Sequence, residues 1–177
     1  MSIRITTLPN GLTIATDQME GVETASLGVW VNAGTRHEAP DVNGVSHMLE
    51  HMAFKGTKRR SARGIAEEMD NVGGHLNAYT SRENTAYYAK VLKEDIPLDL
   101  IADILQHSTL DSEELAREQQ VVVQEIGQAF DTPDDIIFDH FQAQAYPGQA
   151  LGRPVLGTVD LVKGMTRDML AGYMGEN

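Results

Sequence analysis

Two histidines and a glutamate lie close together in the segment His47-Met48-Leu49-Glu50-His51, which has the pattern H-x-x-E-H. Residues four apart share one face of an α-helix, so the imidazoles of His47 and His51 can reach the same metal ion. Glu50 lies beside them without being needed as a ligand. A carboxylate in this place can take a proton from a metal-bound water and pass it to a leaving amine, which is the chemistry of peptide hydrolysis. The alternative is an exposed polar helix face whose two histidines are solvated or hydrogen-bonded.

A catalytic zinc ion requires a third protein ligand and one open position. The chain has no cysteine, so this ligand must be another histidine or a carboxylate. The predicted helix over 112–129 carries Glu118 and Glu125, which are seven residues apart and therefore share one face. One of them can bind the ion while the other supports the site from behind. The spacing alone leaves open which of the two is the ligand.

The elements that carry these residues follow from periodicity and turn signals. Apolar residues at 45, 48, 49 and 52 recur at helical spacing and predict a helix over 44–54. The predicted strands cover 2–8, 11–16, 24–33, 75–81 and 84–92, and the other predicted helices cover 61–72, 94–108, 112–129, 134–145 and 166–175. Strands early in the chain and helices later favour an α+β fold with an antiparallel sheet over an alternating βαβ fold.

Composition excludes several classes of protein. With 41% hydrophobic and 23% charged residues, the chain has the composition of a globular protein. The net charge of -12 argues against a nucleic-acid partner, because phosphate binding needs a basic surface. No apolar stretch is long enough to span a bilayer, so no membrane partner is expected. The first residues resemble neither a secretion signal nor a transit peptide, which predicts a cytoplasmic location unless a leader has been removed.

Four sequence blocks carry a resemblance to a known family. They are GVSHMLEHMAFKGT, GGHLNAYTSRENTAYYAKVL, REQQVVVQEIGQAF and ALGRPVLGT, in this order along the chain. The chain resembles the pitrilysin family of inverzincin metallopeptidases, which includes insulin-degrading enzyme and mitochondrial processing peptidase. It is most similar to the processing-peptidase branch and its bacterial relatives. The resemblance extends through almost the whole chain.

The resemblance implies a role for each residue of the site. His47 and His51 match the family's zinc ligands, and Glu50 matches its general base. Glu125 matches the third ligand. Glu118 matches an acidic residue that supports catalysis without being a standard ligand, so it joins Glu50 on the catalytic side of the site. One Zn²⁺ per chain is therefore expected.

The resemblance also implies a substrate-binding strand. The segment containing Asn77, Ala78 and Tyr79 resembles the edge strand on which the family lays its peptide substrate. Main-chain hydrogen bonds there would hold an extended peptide with little sequence preference. Asn77 would be the side chain nearest the scissile bond. The alternative is an ordinary strand of the sheet.

The family architecture implies the place of this chain in a larger peptidase. Members of this branch have two related halves that close over the substrate like a clamshell, and residues 1–177 match a single N-terminal metallopeptidase domain, an antiparallel sheet covered on one side by helices. The second half is absent, and so is the last strand expected of this domain. The expected function is therefore a zinc-dependent endopeptidase that hydrolyses extended peptides, with weak or no activity until a second half or partner subunit is present. The alternative is a non-catalytic scaffold or partner subunit of the same fold, although the presence of all the motif residues favours the enzyme.

Overall fold

The computed structural model describes residues 2–177, which form an α+β fold, as the sequence predicts. The strands are β1 (Arg4–Thr7), β2 (Thr13–Thr16), β3 (Thr24–Val31), β4 (His75–Thr80) and β5 (Thr85–Leu92). The helices are α1 (Val45–Ala53), α2 (Ala62–Asn71), α3 (Leu98–Gln106), α4 (Ser112–Asp131), α5 (Pro133–Ala145), α6 (Val159–Gly164) and α7 (Arg167–Glu176). Three short 3-10 turns lie at Thr35–His37, Pro40–Val42 and Ala150–Gly152.

The main sheet has three antiparallel strands in the order β3-β5-β4, so β4 is an edge strand among the described residues. Its residues alternate between the two faces of the sheet, as the period of two of a strand requires. Ala78 is buried and pairs with Tyr87, whereas Asn77 and Tyr79 are exposed on the other face. β1 and β2 form a separate hairpin whose residues are all exposed.

Two apolar clusters hold the fold together, and α1 contributes to both. Met48 and Met52 belong to the first cluster, which joins α1 to α4, α6 and α7. Ala53, one residue further, belongs to the second cluster, in which the inner face of the sheet packs against α2 and α3. Side chains of α1 are therefore packed on two sides of the helix, which leaves little freedom for the polar face between them.

Helix α4 is fixed along its length by a cap, an apolar stripe and a polar clamp. Asp111 caps its first turn by accepting hydrogen bonds from two main-chain N–H groups. Leu115 and Val122 are buried seven residues apart and pack in the first cluster. The amide of Gln119 donates to the carbonyl oxygens of Val162 and Met165, 3.0 and 2.9 Å away, which ties α4 to α6 and the loop after it.

The structure differs most from the elements predicted by the sequence in two places, while other ends shift by a few residues. The sequence does not predict α6, because six residues are too few for a helical period to be recognised. The helix predicted over 94–108 is shorter, since Pro97 stands immediately before its first residue and fixes the start at Leu98. Among residues 2–177, no helix combines the length and apolar character needed to cross a membrane.

Candidate metal centre

The polar face of α1 carries both histidines of the predicted motif. The side chains of His47 and His51 are only 12% and 16% exposed, so they do not lie on the exposed polar face of the alternative interpretation. Their rings meet edge to face, with centroids 4.7 Å apart and an interplanar angle of 70°. Helical spacing thus brings the two rings together.

Glu125 of α4 completes a group of three ligand atoms. Its Oε2 atom lies 3.6 Å from His47 Nε2 and 3.5 Å from His51 Nε2. Ligand atoms of the three residues all lie within 4.8 Å of one another. Glu125 follows the buried Val122 by three residues, so both lie on the same side of α4. Packing of this side against α1 places the carboxylate of Glu125 beside the histidines. The structure therefore brings together all three residues that the sequence predicts as ligands.

The donor set fits a zinc ion. Two imidazole nitrogens and one carboxylate oxygen are ligands that zinc accepts in catalytic sites. Tetrahedral zinc with bonds of about 2.0–2.2 Å separates its ligands by roughly 3.3–3.5 Å, close to the two distances from Glu125. Burial, and then repulsion from His51, lowers the pKa of His47 from 6.5 to about 4. His47 is therefore neutral at pH 7, which is the form that binds metal.

Glu118 lies behind His51 rather than between the two histidines. Its Oε2 atom is 2.8 Å from His51 Nδ1, and its Oε1 atom is 2.6 Å from Lys55 Nζ. Burial on its own would raise the pKa of Glu118, but the hydrogen bonds from Lys55 and His51 outweigh it and lower the pKa. Glu118 is thus a carboxylate that can orient His51, and Glu125 is the one that faces the Nε2 atoms.

Glu50 lies on the same helix, directly before His51, and is half-buried. Burial raises the pKa of Glu50 above its ordinary value, although hydrogen bonds from Thr80 and the charge of His51 act in the opposite direction. The hydroxyl of Thr80, at the end of β4, lies 3.4 Å from the carbonyl oxygen of Ser46 on α1. Strand β4 and the metal-binding helix are therefore in direct contact beside Glu50.

The three residues of the predicted substrate strand have different surroundings. Ala78 is buried, whereas Asn77 and Tyr79 are exposed. The main-chain N–H of Ala78 donates to the side-chain oxygen of Asn77, 2.8 Å away. The hydroxyl of Tyr79 accepts a hydrogen bond of 3.2 Å from Trp30 Nε1, across the outer face of the sheet. Asn77 and Tyr79 are thus accessible, but each is already engaged in a local contact.

Sequence reasoning missed three residues that support this site. Lys55 lies in the block GVSHMLEHMAFKGT, yet nothing in the spacing relates it to Glu118. Thr80 belongs to the predicted strand, but its contact with Glu50 depends on the approach of β4 to α1. Glu38 lies in a polar loop without any periodic pattern, and its carboxylate accepts hydrogen bonds from the residues at the start of α1. All three act through contacts between elements, which one sequence does not record.

A comparison with protein families decides the classification. The sequence profile of the insulinase family (peptidase family M16) matches residues 13–159. The chain belongs to this family. The resemblance inferred from the four sequence blocks is thereby confirmed.

Two curated members of the M16 family and one solved structure illustrate the similarity. The chain is 47% identical over 176 residues to the mitochondrial-processing peptidase subunit beta of Saccharomyces cerevisiae, covering 98% of this chain and 38% of that protein. It is 46% identical over 170 residues to a protein of Bacillus subtilis named uncharacterized zinc protease YmxG, covering 95% of this chain and 42% of that one. The crystal structure of a protease from Helicobacter pylori superposes with a TM-score of 0.91 at 27% identity, covering 97% of this chain and 42% of that one. The chain thus spans about two fifths of the length of these proteins.

Proposed function

We propose that the chain is the metal-binding domain of a zinc-dependent endopeptidase that hydrolyses extended peptides. One Zn²⁺ per chain would be held by His47, His51 and Glu125. The observation that carries this proposal is the convergence of two Nε2 atoms and a carboxylate oxygen beside a half-buried glutamate, Glu50, on the same helix as the histidines. The names of the M16 relatives, zinc protease and processing peptidase, support the same activity.

The residues of the site divide the chemistry between them. When bound, a zinc ion acts as a Lewis acid that lowers the pKa of a water molecule and polarises the scissile carbonyl group. With the metal bound, Glu50 would accept one proton of the attacking water while the oxygen of that water forms a bond to the carbonyl carbon. Glu50 then passes the proton to the leaving amine nitrogen as the C–N bond breaks. Glu118 contributes by holding the ring of His51. Burial raises the pKa of Glu50 above its ordinary value, in the direction that a general base requires.

The peptide would bind along β4 as an additional strand. An edge strand offers main-chain N–H and C=O groups that can pair with an extended peptide whatever its side chains are. β4 touches α1 beside Glu50, so a peptide on this edge would pass near the proposed metal ion. Asn77 would release the N–H of Ala78 and turn towards the scissile bond, while Tyr79 would lie further along the same strand.

A second half or a partner subunit would complete the substrate site. The chain spans about two fifths of its M16 relatives, and one of them is named as a beta subunit. We expect the isolated chain to bind zinc but to cleave peptides slowly or not at all, because one side of the cleft would be missing. Peptide cleavage by the isolated chain at the rate of the complete peptidase would contradict this expectation.

The cytoplasmic location stays a prediction.

A Glu50→Gln substitution tests the proposal. The assay uses the complete peptidase, in which this chain is joined to its second half or bound to its partner subunit, with zinc content and peptide cleavage measured together. We expect the variant to keep one zinc per chain and to lose hydrolysis, because glutamine preserves shape but cannot accept the proton. Equal activity in parent and variant would show that Glu50 is not the base. A complete protein that holds zinc but cleaves no peptide would favour the non-catalytic scaffold.

A further inference from the structure

Glu38 is a buried acidic residue in the loop that precedes the metal-binding helix α1. It is only 4% exposed. One carboxylate oxygen accepts hydrogen bonds from the side-chain amide of Asn43 at 2.9 Å and from the main-chain N–H of Gly44 at 2.8 Å. The other oxygen accepts from the main-chain N–H of Ser46 at 2.9 Å. Both oxygens of Glu38 are therefore bound to the segment in which α1 begins.

These contacts replace a cap that α1 lacks. The residue before the helix is Gly44, which has φ of +96° and no side chain to accept hydrogen bonds from the first turn. The first N–H groups of a helix have no partner within the helix and need an acceptor from elsewhere. The carboxylate of Glu38 supplies that acceptor and places a negative charge at the positive end of the helix dipole.

A distant loop holds Glu38 and the start of α1 in place. Arg153 donates through Nη2 to the main-chain oxygen of Glu38. The amide of Asn43 also donates to the carbonyl of Pro154, 3.2 Å away. At Gly157 a Cβ atom would lie 2.5 Å from the carbonyl oxygen of Asn43, so only glycine permits this approach of the two main chains. The block ALGRPVLGT thus packs against the beginning of the metal-binding helix.

The first turn of α1, which Glu38 holds, affects the position of the His47 ring more than the position of the His51 ring. The ring of His51 is held by Glu118 through Nδ1. By contrast, the Nδ1 atom of His47 is buried without a hydrogen-bond partner in the described part of the chain. His47 follows directly after Ser46, whose N–H is bound by Glu38. The main chain of the first turn is therefore what sets the place of the His47 ring.

We propose that Glu38 is a positioning residue for His47, because its carboxylate fixes the first turn of α1 and thereby one ligand of the metal centre. This inference rests on the proposed function, in which His47 binds the metal. Glu38 touches neither metal nor substrate and acts only through the helix.

The test compares the parent 177-residue chain with its Glu38→Gln variant. Glutamine keeps the size of the side chain but removes the charge and turns an NH₂ group towards main-chain donors. Competition with a chelator gives the dissociation constant for zinc, which we expect to rise about tenfold, as for other residues that orient ligands. Two further measurements are the hydrogen exchange of amides 46–48 without metal and the visible spectrum with Co²⁺, which reports the arrangement of the ligands. We expect faster exchange and a changed spectrum.

Val91→Ala is the matched control for a general loss of stability. Val91 is 3% exposed and lies in the second apolar cluster, on β5, away from the start of α1. This variant should unfold more easily yet keep the zinc affinity and the Co²⁺ spectrum of the parent. If Glu38→Gln does not fold, Asn43→Ala removes a single donor to Glu38 and should weaken zinc binding severalfold.

The outcomes separate this inference from the proposed function. If the parent binds zinc and the folded Glu38 or Asn43 variant binds it equally well with the same spectrum, the positioning role is wrong and the proposed function stands. An equal loss of affinity in Val91→Ala would also overturn the positioning role, since stability alone would explain it. If the parent binds no zinc, the metal centre itself is refuted, and the role of Glu38 is refuted with it.

Discussion

The Oε2 atom of Glu118 lies 2.8 Å from Nδ1 of His51, and this contact leaves Nε2 of the same ring facing Glu125. Glu118 and Glu125 of α4 thus lie beside different ring nitrogens of His51. Because a carboxylate at Nδ1 favours the tautomer with its proton there, Nε2 keeps its lone pair for a metal ion. Lys55 neutralises the outer oxygen of Glu118, so the carboxylate stays charged although its side chain is only 9% exposed.

Glu118→Gln is expected to weaken zinc binding by about tenfold to a hundredfold, the usual effect of removing a residue that orients a metal ligand. The amide would have to present its NH₂ group either to His51 or to the ammonium group of Lys55. The measurement is the zinc dissociation constant of the isolated chain. Glu113→Gln is the control, because Glu113 lies on the same helix with its side chain 85% exposed. Equal affinities in the two variants would contradict the orienting role.

Lys55→Met is expected to raise the zinc dissociation constant about fivefold, which corresponds to about 1 kcal/mol for a partly exposed ion pair. Without the ammonium group, the carboxylate of Glu118 is free to leave His51. Lys55→Arg should recover most of the affinity, because arginine also donates to a carboxylate. If methionine and arginine behave alike at this position, the charge of Lys55 has no part in the site.

The metal-free chain should lose stability as the pH falls from about 6.5 to about 4. The pKa of His47 is lowered to about 4 in the folded chain and is near 6.5 when the chain is unfolded, so the unfolded state takes up the proton first. The contribution is fully present above pH 6.5 and is lost towards pH 4, with a magnitude on the order of 3 kcal/mol. Urea unfolding at several pH values measures it. A His47→Gln variant with the same pH dependence would show that other groups are responsible.

Asp103→Asn should destabilise the fold by about 3–5 kcal/mol, the cost of breaking a buried ion pair. Its carboxylate accepts from Thr57 at 2.7 Å, Arg59 at 2.9 Å and Arg60 at 2.8 Å, and it is fully buried. Burial on its own would raise the pKa of Asp103, but these hydrogen bonds outweigh it and hold the pKa well below its ordinary range. Urea unfolding at pH 7 measures the change. Asp99→Asn is the control, because its side chain is 65% exposed and its loss should cost much less stability than that of Asp103. Similar losses in both variants would contradict this account of the network.

The parts of the site that repeat along one helix could be predicted from the sequence. His47 and His51 are separated by four residues, and Glu118 and Glu125 by seven, so each pair had to share a helix face. Spacing alone did not distinguish the two glutamates. That distinction depends on the approach of α4 to α1, which the structure shows through the 3.5 Å distance between Glu125 and His51.

Contacts between distant elements could not be predicted in the same way. Glu38 stands in a loop, and its role follows from the way residues 153–157 fold back on Asn43 and Gly44. A single sequence contains no period or spacing that relates these segments. The antiparallel sheet was predictable from strand patterns and turn residues, whereas the six residues of α6 follow from the cap at Thr158 and from packing on α4.

The most direct test of the account is the zinc content of the isolated chain and of its Glu125→Ala variant after dialysis against trace zinc. The account predicts one zinc per chain in the parent and none in the variant, because two histidines alone do not complete a zinc site. Glu113→Gln should retain the zinc of the parent. A parent chain without zinc, or a Glu125→Ala variant that holds as much zinc as the parent, would contradict the assignment of His47, His51 and Glu125 as the metal centre.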